Sequence, residues 1–350
     1  MSSDSELALA AQHDAAGQYD EAINVLARGT GAGDAACTQL LGVRLLTGDR
    51  APHLPAEGLG FIAEACARGF GEGAARAAGN VALGIAGTPD WPQALDWLRR
   101  SAEAGWQASQ RQLLALCDDR ELARRAMGMA QKPWRALAAA VQLEGWRQAP
   151  PAQVKSQQPR VSAFSGMLRP ELCEFFISLA TGRLEPAKVY DPVQRQDIVV
   201  AHRSNTIANF DVRSVELAHV LLQARMAAAC GLPERHMEGP SVLHYSPGEQ
   251  IADHFDFVDP QSTPDYAGEI ARNGQRVVTF LIYLNDEYEG GETDFPKLGL
   301  SHRGQRGGGL YFVNALADLS PDLRMLHAGC PVTSGEKWII TQFVRSRPTR

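Results

Sequence analysis

Three stretches in the first third of the chain, "DEAINVLARGTGAG" (20–33), "AEGLGFIAEACARG" (56–69) and "PQALDWLRRSAEAG" (92–105), superpose at a constant step of 36 residues (56−20 = 92−56). The step aligns Ala22 with Gly58 and Ala94, Val25 with Phe61 and Trp97, Leu26 with Ile62 and Leu98, and Gly33 with Gly69 and Gly105. It continues through Leu41, Ala77, Leu113 and through Leu45, Val81, Cys117. Each unit thus carries two helical apolar faces, a small residue where they cross and a glycine at the turn. No single unit can bury such faces alone, so the pattern predicts stacked helical hairpins. Residues 119–146 keep helical spacing without the period and are expected to cap the stack.

The composition changes at "RQAPPAQVKSQQPR", residues 147–160, which is rich in Pro and Gln and poor in apolar residues. It is expected to be a linker between a helical-repeat domain (1–146) and a second domain (161–350). In the latter, 170–182 and 212–231 show helical spacing and end at glycines. From Ser241 onward the chain breaks into short apolar runs separated by Gly, Pro, Asn and Asp, such as 276–284, 309–314 and 337–345. Helices followed by antiparallel strands predict an α+β domain with a double-stranded β-helix, or jelly-roll, sheet and flanking helices.

Within the strand-rich region, "DHFDF" places His254 and Asp256 two residues apart. If extended, both side chains face one space. His327, 71 positions later (327−256), falls at another predicted strand and can supply a third ligand. Two neutral imidazoles and one carboxylate, with the remaining positions open, suit a non-haem Fe(II) site better than a closed zinc site. The spacing alone proves little, because His236 and Glu238 in "RHMEG" share it.

The surrounding motifs add weight. "YSPGEQIADH" (245–254), "QRVVTFLIYLND" (275–286), "YEGGETDFP" (288–296), "GGGLYFVN" (307–314) and "LHAGCPVTSGEKW" (326–338) follow in order. This set resembles the prolyl 4-hydroxylase-like branch of the Fe(II)/2-oxoglutarate dioxygenases over roughly residues 158–350, and the N-terminal period resembles tetratricopeptide and Sel-like repeats.

The resemblance implies Fe(II) on His254, Asp256 and His327, with 2-oxoglutarate and O2 as co-substrates and ascorbate as an accessory. It also implies that Lys337 pairs with the distal carboxylate of 2-oxoglutarate, which a barrel interior could not hold unpaired. Thr293 and Tyr245 match positions lining the same pocket, and Arg276 matches an arginine near the substrate. Read from the residues alone, Lys337 is as well a solvated edge lysine, Thr293 a turn residue and Tyr245 a half-buried core aromatic.

Three departures weaken the transfer of substrate: Ile251 where relatives often carry Tyr, and Phe343 and Arg345 where they often carry Trp and His. Asp256 itself fits hydroxylation, since halogenating relatives replace the carboxylate with a small residue.

The reading is a hydroxylase of a protein or peptide residue such as proline, with the repeats offering a surface for that partner. Two alternatives stay open: hydroxylation of a free amino acid or small molecule, and an inactive scaffold. A formal charge of −6 gives no sign of a nucleic-acid footprint. The N-terminal "MSSDSELALAAQHD" lacks a signal pattern, no run is long enough to span a bilayer, and the six cysteines are dispersed. A cytoplasmic protein is expected. "GFGEGAARAAG" (69–79) lacks the strand–turn–helix context of a phosphate loop, and "RGQRGGG" (303–309) reads as a hairpin loop.

Overall fold

The computed structural model describes residues 3–191, 196–198, 203–261 and 264–349. The chain divides into two compact units, Met1–Gly145 with Asp211–Leu221, and Trp146–Phe210 with Leu222–Arg350.

In the first unit, α1 (Ser3–Ala15) precedes three hairpins: α2 (Tyr19–Gly31) with α3 (Ala35–Thr47), α4 (Pro55–Ala67) with α5 (Glu72–Leu83), and α6 (Trp91–Glu103) with α7 (Gln107–Leu116). The sequence period has a conformational counterpart. Gly33, Gly69 and Gly105 adopt φ of +83°, +89° and +90°, a region that favours glycine. Leu26, Ile62 and Leu98 are fully buried at equivalent places. Gly58 is small because a Cβ there would lie 2.7 Å from the carbonyl oxygen of Gly42. The aperiodic stretch forms α8 (Arg120–Met127), α9 (Trp134–Ala139) and α10 (Leu143–Arg147), with α9 against α6 and α7.

The second unit is built on an eight-stranded antiparallel sheet. Its order is β1 (Ala152–Ser156), β2 (Val161–Phe164), β13 (Gly309–Val313), β9 (Arg276–Tyr283), β16 (Lys337–Arg345), β7 (Ser241–Tyr245), β6 (Thr206–Asn209) and β3 (Glu185–Pro186). A second sheet runs β12 (Leu300–His302), β11 (Thr293–Phe295), β14 (His327–Gly329) and β8 (Ile251–His254). Two small pairs complete it, β10 (Tyr288–Gly290) with β15 (Val332–Gly335) and β4 (Val189–Asp191) with β5 (Gln196–Ile198). Leu243, Leu281, Phe312 and Ile339 of the large sheet share one core with Phe295 of the small one. The Phe295 and Phe312 rings meet edge-on at 5.1 Å. This is the expected jelly roll. Helices α11 (Pro170–Thr181), α12 (Leu217–Cys230) and α13 (Pro264–Asn273) accompany it.

Two sequence expectations need correction. The 147–160 stretch is not simply a linker, because β1 within it pairs with β2 at the sheet edge. Its polar composition reflects an exposed edge strand, where charge and polarity guard against further pairing. The expected helix over 212–231 begins at Leu217, since residues 211–216 run non-helically within the first unit.

Candidate metal centre and cavity

The small sheet's pairing brings the two histidines together. His254 ends β8, His327 begins β14, and the two are direct cross-strand partners with rings 4.3 Å apart. Asp256 lies in a bend just past β8 rather than within a strand. Its Oδ1 is 3.6 Å from Nε2 of His254 and its Oδ2 is 3.4 Å from Nε2 of His327.

Both imidazoles are oriented from behind. Nδ1 of His254 lies 2.8 Å from the carbonyl of Ala252, and Nδ1 of His327 lies 3.0 Å from that of Met325. Each Nδ1 therefore carries the ring hydrogen, and each Nε2 presents a lone pair toward the carboxylate. With both imidazoles neutral, three electron-pair donors converge with no hydrogen between them, a demand that either a metal ion or a proton on an imidazole can meet. The donor atoms of His254, Asp256 and His327 all lie within 4.8 Å of one another, close enough to share one metal ion.

Electrostatics express the same demand. Burial works against the Asp256 carboxylate, yet His327 and His254 hold it well below the ordinary carboxylate range. Burial likewise disfavours charge on His327, but Asp256 outweighs it and raises its pKa.

A hydrogen-bond chain that sequence reasoning missed stands behind Asp256. Asn314 Nδ2 donates to Thr279 Oγ1 at 2.8 Å, and Thr279 donates onward to Asp256 Oδ2 at 2.7 Å. Because an amide nitrogen can only donate, the direction of the chain is fixed. Thr279 is fully buried in the middle of β9, an apolar strand, and that isolated polar position was the available signal.

The metal cluster opens into a cavity of ≈1240 Å³ lined also by Tyr245, Thr293, Lys337, Arg276 and Phe343. Lys337 begins β16 and pairs with Tyr245 at the end of β7, so both face the interior. Lys337 is 2% exposed, which removes the solvated-edge alternative. Its Nζ donates to the carbonyl of Gly291 at 2.6 Å and sits 5.1 Å from the Tyr245 ring. Among the described residues no carboxylate pairs with it, and burial pushes its pKa down to about 8, partly offset by Cys330 and Glu292.

Gly291 adopts φ +68°, a region that favours glycine, and a Cβ there would also crowd Cδ of Lys337 at 3.1 Å. Thr293 is buried, with Oγ1 3.2 Å from the Tyr283 hydroxyl, so it is not an exposed turn residue. Tyr245 is 2% exposed, more enclosed than a half-buried aromatic.

At the other end, Arg276 stacks on Phe343 with its guanidinium carbon 3.8 Å from the ring centre. It donates twice to Glu238, at 2.8 and 2.9 Å. Arg345 bonds the same Glu238 at 2.5 Å and reaches Glu269 of α13 at 2.5 Å. Burial works against the Glu238 charge, but Arg276 and Arg345 keep its pKa low. His236, the decoy, has Nδ1 3.0 Å from the carbonyl of Arg345 and takes no part in the metal cluster.

Comparison with known proteins agrees with this geometry. A family model described as the 2OG-Fe(II) oxygenase superfamily matches residues 240–345. Probable prolyl 4-hydroxylase 3 of Arabidopsis thaliana is 33% identical over 214 residues, covering 55% of this chain and 71% of that protein. This chain belongs to the prolyl 4-hydroxylase family of 2OG-Fe(II) oxygenases.

Prolyl 4-hydroxylase 1 of the same plant is 31% identical, covering 56% of this chain and 72% of its own length. For probable prolyl 4-hydroxylase 7 the figures are 30% identity, 54% and 63%. Among solved structures, the viral collagen prolyl hydroxylase of Paramecium Bursaria Chlorella virus-1, in its 2OG complex, matches with 25% identity and a TM-score of 0.41, covering 53% of this chain and 96% of that one. The family implies Fe(II), 2-oxoglutarate and O2, and the donor set of His254, Asp256 and His327 fits the metal.

Proposed function

We propose that this prolyl 4-hydroxylase homologue hydroxylates a residue of a protein or peptide, proline first among the candidates, at the expense of 2-oxoglutarate. The observation that carries the reading is the presence in one cavity of a three-donor metal cluster and a buried lysine without a carboxylate partner among the described residues. A metal supplies the missing cation at one end, and a dicarboxylic co-substrate supplies the missing anion at the other. Fe(II) with 2-oxoglutarate and O2 provides oxidative decarboxylation to succinate and CO2 coupled to hydroxylation of a C–H bond.

The protein's own residues do the positioning. His254, Asp256 and His327 would hold the metal on one face, while Thr279 keeps the carboxylate aimed. Lys337, with Thr293 and Tyr245 beside it, would receive the distal carboxylate, and Leu243, Leu281 and Ile339 line the cavity with apolar surface that excludes water. Arg276, braced by Glu238, would face the substrate.

Ascorbate belongs to the proposal as an added reductant. A reducing, cytoplasmic setting fits six free cysteines, four of them buried. Among the described residues no helix is long and apolar enough to cross a membrane.

The test is succinate release and a +16 Da product from poly(L-proline), and from free L-proline as the competing substrate class, with Fe(II), 2-oxoglutarate, O2 and ascorbate. Turnover that persists with a chelator or without oxygen would overturn the reading.

A further inference from the structure

The 36-residue period puts Arg76 of α5 and Gln112 of α7 at the same place in successive repeats (112−76 = 36). Both point at one carboxylate. Arg76 Nη1 donates to Glu216 Oε1 at 2.7 Å and Gln112 Nε2 donates to Glu216 Oε2 at 3.0 Å. Glu216 is fully buried and Arg76 is 4% exposed. Burial alone would lower the Arg76 pKa, but Glu216 and then Glu72 raise it, so the guanidinium stays charged.

The same helices also hold the backbone around that glutamate. Arg76 donates to the carbonyl of Ser214 at 3.2 Å, and Asn80 Nδ2 donates to that of Val212 at 2.7 Å. Gln112 Oε1 accepts the amide hydrogen of Ala218 at 2.6 Å. Gly79 leaves the room required, because a Cβ would lie 2.7 Å from the carbonyl oxygen of Val215.

Side chains from helices one repeat apart that bond main-chain groups and clamp one acidic residue make a peptide-recognition surface, and here its occupant lies in the same chain and the same unit. We infer that the repeat unit is an intramolecular receptor for residues 211–221, recognising a turn that runs into the start of a helix with a glutamate at the junction. This is independent of the proposed activity. The patch of α5 and α7 around Arg76 and Gln112 is thereby filled in cis, so a macromolecular partner of the repeats would have to use another of their faces.

The test uses the full-length chain and a fluorescein-labelled synthetic peptide with the sequence of residues 209–221. Glu216→Ala loosens the internal segment and leaves the receptor intact. The peptide should bind this variant at least tenfold more tightly than it binds the unaltered chain, and Arg76→Met added to it should abolish the gain. Equal binding to all three proteins, or a gain indifferent to Arg76, overturns the inference.

Hydrogen exchange on the unaltered chain provides a check that needs no variant of Glu216. The amide of Ala218 should exchange as slowly as those inside α5 and α7, and Gln112→Leu should speed it selectively. Exchange of Ala218 at the rate of an exposed loop overturns the inference even if Glu216→Ala fails to fold.

Discussion

Thr279 and Asp256 are joined by a hydrogen bond of 2.7 Å in which the hydroxyl donates to the carboxylate oxygen nearer His327. The bond selects one rotamer of a proposed metal ligand that sits outside any strand and has no ladder partner to hold it. Thr279→Val removes the donor and also strands the Nδ2 of Asn314, an isosteric change with two unsatisfied groups. Fe(II) affinity is expected to fall by about 10- to 100-fold, with stability reduced by roughly 1–3 kcal/mol. Thr279→Ser should recover most of both. Metal titration followed by thermal melting measures the two effects, and an unchanged Fe(II) affinity in the valine variant would refute the positioning role.

Removal of either imidazole should abolish turnover. His254→Ala and His327→Ala each leave two donors, and an open site with two protein ligands holds divalent metal poorly. His236→Ala should keep turnover, because its ring meets the backbone carbonyl of Arg345 and lies outside the group of His254, Asp256 and His327. Succinate release with added Fe(II) distinguishes them, and equal loss in all three variants would show that the effect is structural rather than metal-borne.

The parts of this site that were legible in the sequence are those fixed by short spacing. His254 and Asp256 are two residues apart, and the motif order around Lys337, Thr293 and Tyr245 resembles one family. What was hidden depends on pairing between distant strands. That His327 lies opposite His254 follows from the β14–β8 register, and that Lys337 lies opposite Tyr245 follows from β16–β7.

Thr279 gave a weak signal because threonine is common in strands. Glu238 was set aside as half of a decoy motif, yet it braces Arg276 at the cavity wall and also pairs with Arg345 behind it. Residues 212–216 carried helical spacing, but Asn80 and Arg76 capture the carbonyls of Val212 and Ser214. No local pattern announces such a capture.

That capture bears on truncation. All proposed ligands follow the Pro-rich stretch, so from the sequence a fragment of residues 158–350 is expected to keep uncoupled 2-oxoglutarate decarboxylation while losing activity on a macromolecular substrate. The structure argues otherwise, because Glu216 would lose Arg76 and Gln112. Val215, Leu217 and Val220, all at most 3% exposed in the intact chain, lie in the same stretch. Breaking a buried ion pair costs roughly 3–5 kcal/mol, which for a domain of this size lowers the melting midpoint by about 6–20 °C. The fragment should melt well below the full chain, and Glu216→Leu within it should restore part of the difference by removing the unpaired charge. Coincident melting of fragment and full chain would show that the stretch is dispensable.

Lys337, as the proposed partner of the distal carboxylate, is expected to link stability and co-substrate binding with opposite signs. Its pKa is pushed down to about 8 in the folded chain from 10.5. Below pH 8 the lysine is protonated folded and unfolded, and the native state bears the full cost of the buried charge. Between pH 8 and 10.5 the unfolded chain binds the extra proton, so stability rises with pH across that window. The difference between about 8 and 10.5 corresponds to about 3 kcal/mol.

Lys337→Met should therefore raise the stability of the ligand-free protein at pH 7 by about 1–3 kcal/mol, after allowing for the lost bond to Gly291. It should also weaken 2-oxoglutarate binding by roughly 30- to 3,000-fold, since the distal carboxylate would be buried unpaired. Thr293→Val, with Lys337 still present, should lose less, about 1–3 kcal/mol. In the unaltered protein the dissociation constant should be flat below pH 8 and rise about tenfold per unit above it, because only the ammonium form pairs with the carboxylate. In Lys337→Met that dependence should vanish. Titration of the metal-loaded protein with 2-oxoglutarate from pH 6.5 to 9.5 checks both statements. A variant that keeps the affinity would mean that another cation receives the carboxylate, and one that loses affinity but keeps the pH slope would place the titrating group elsewhere.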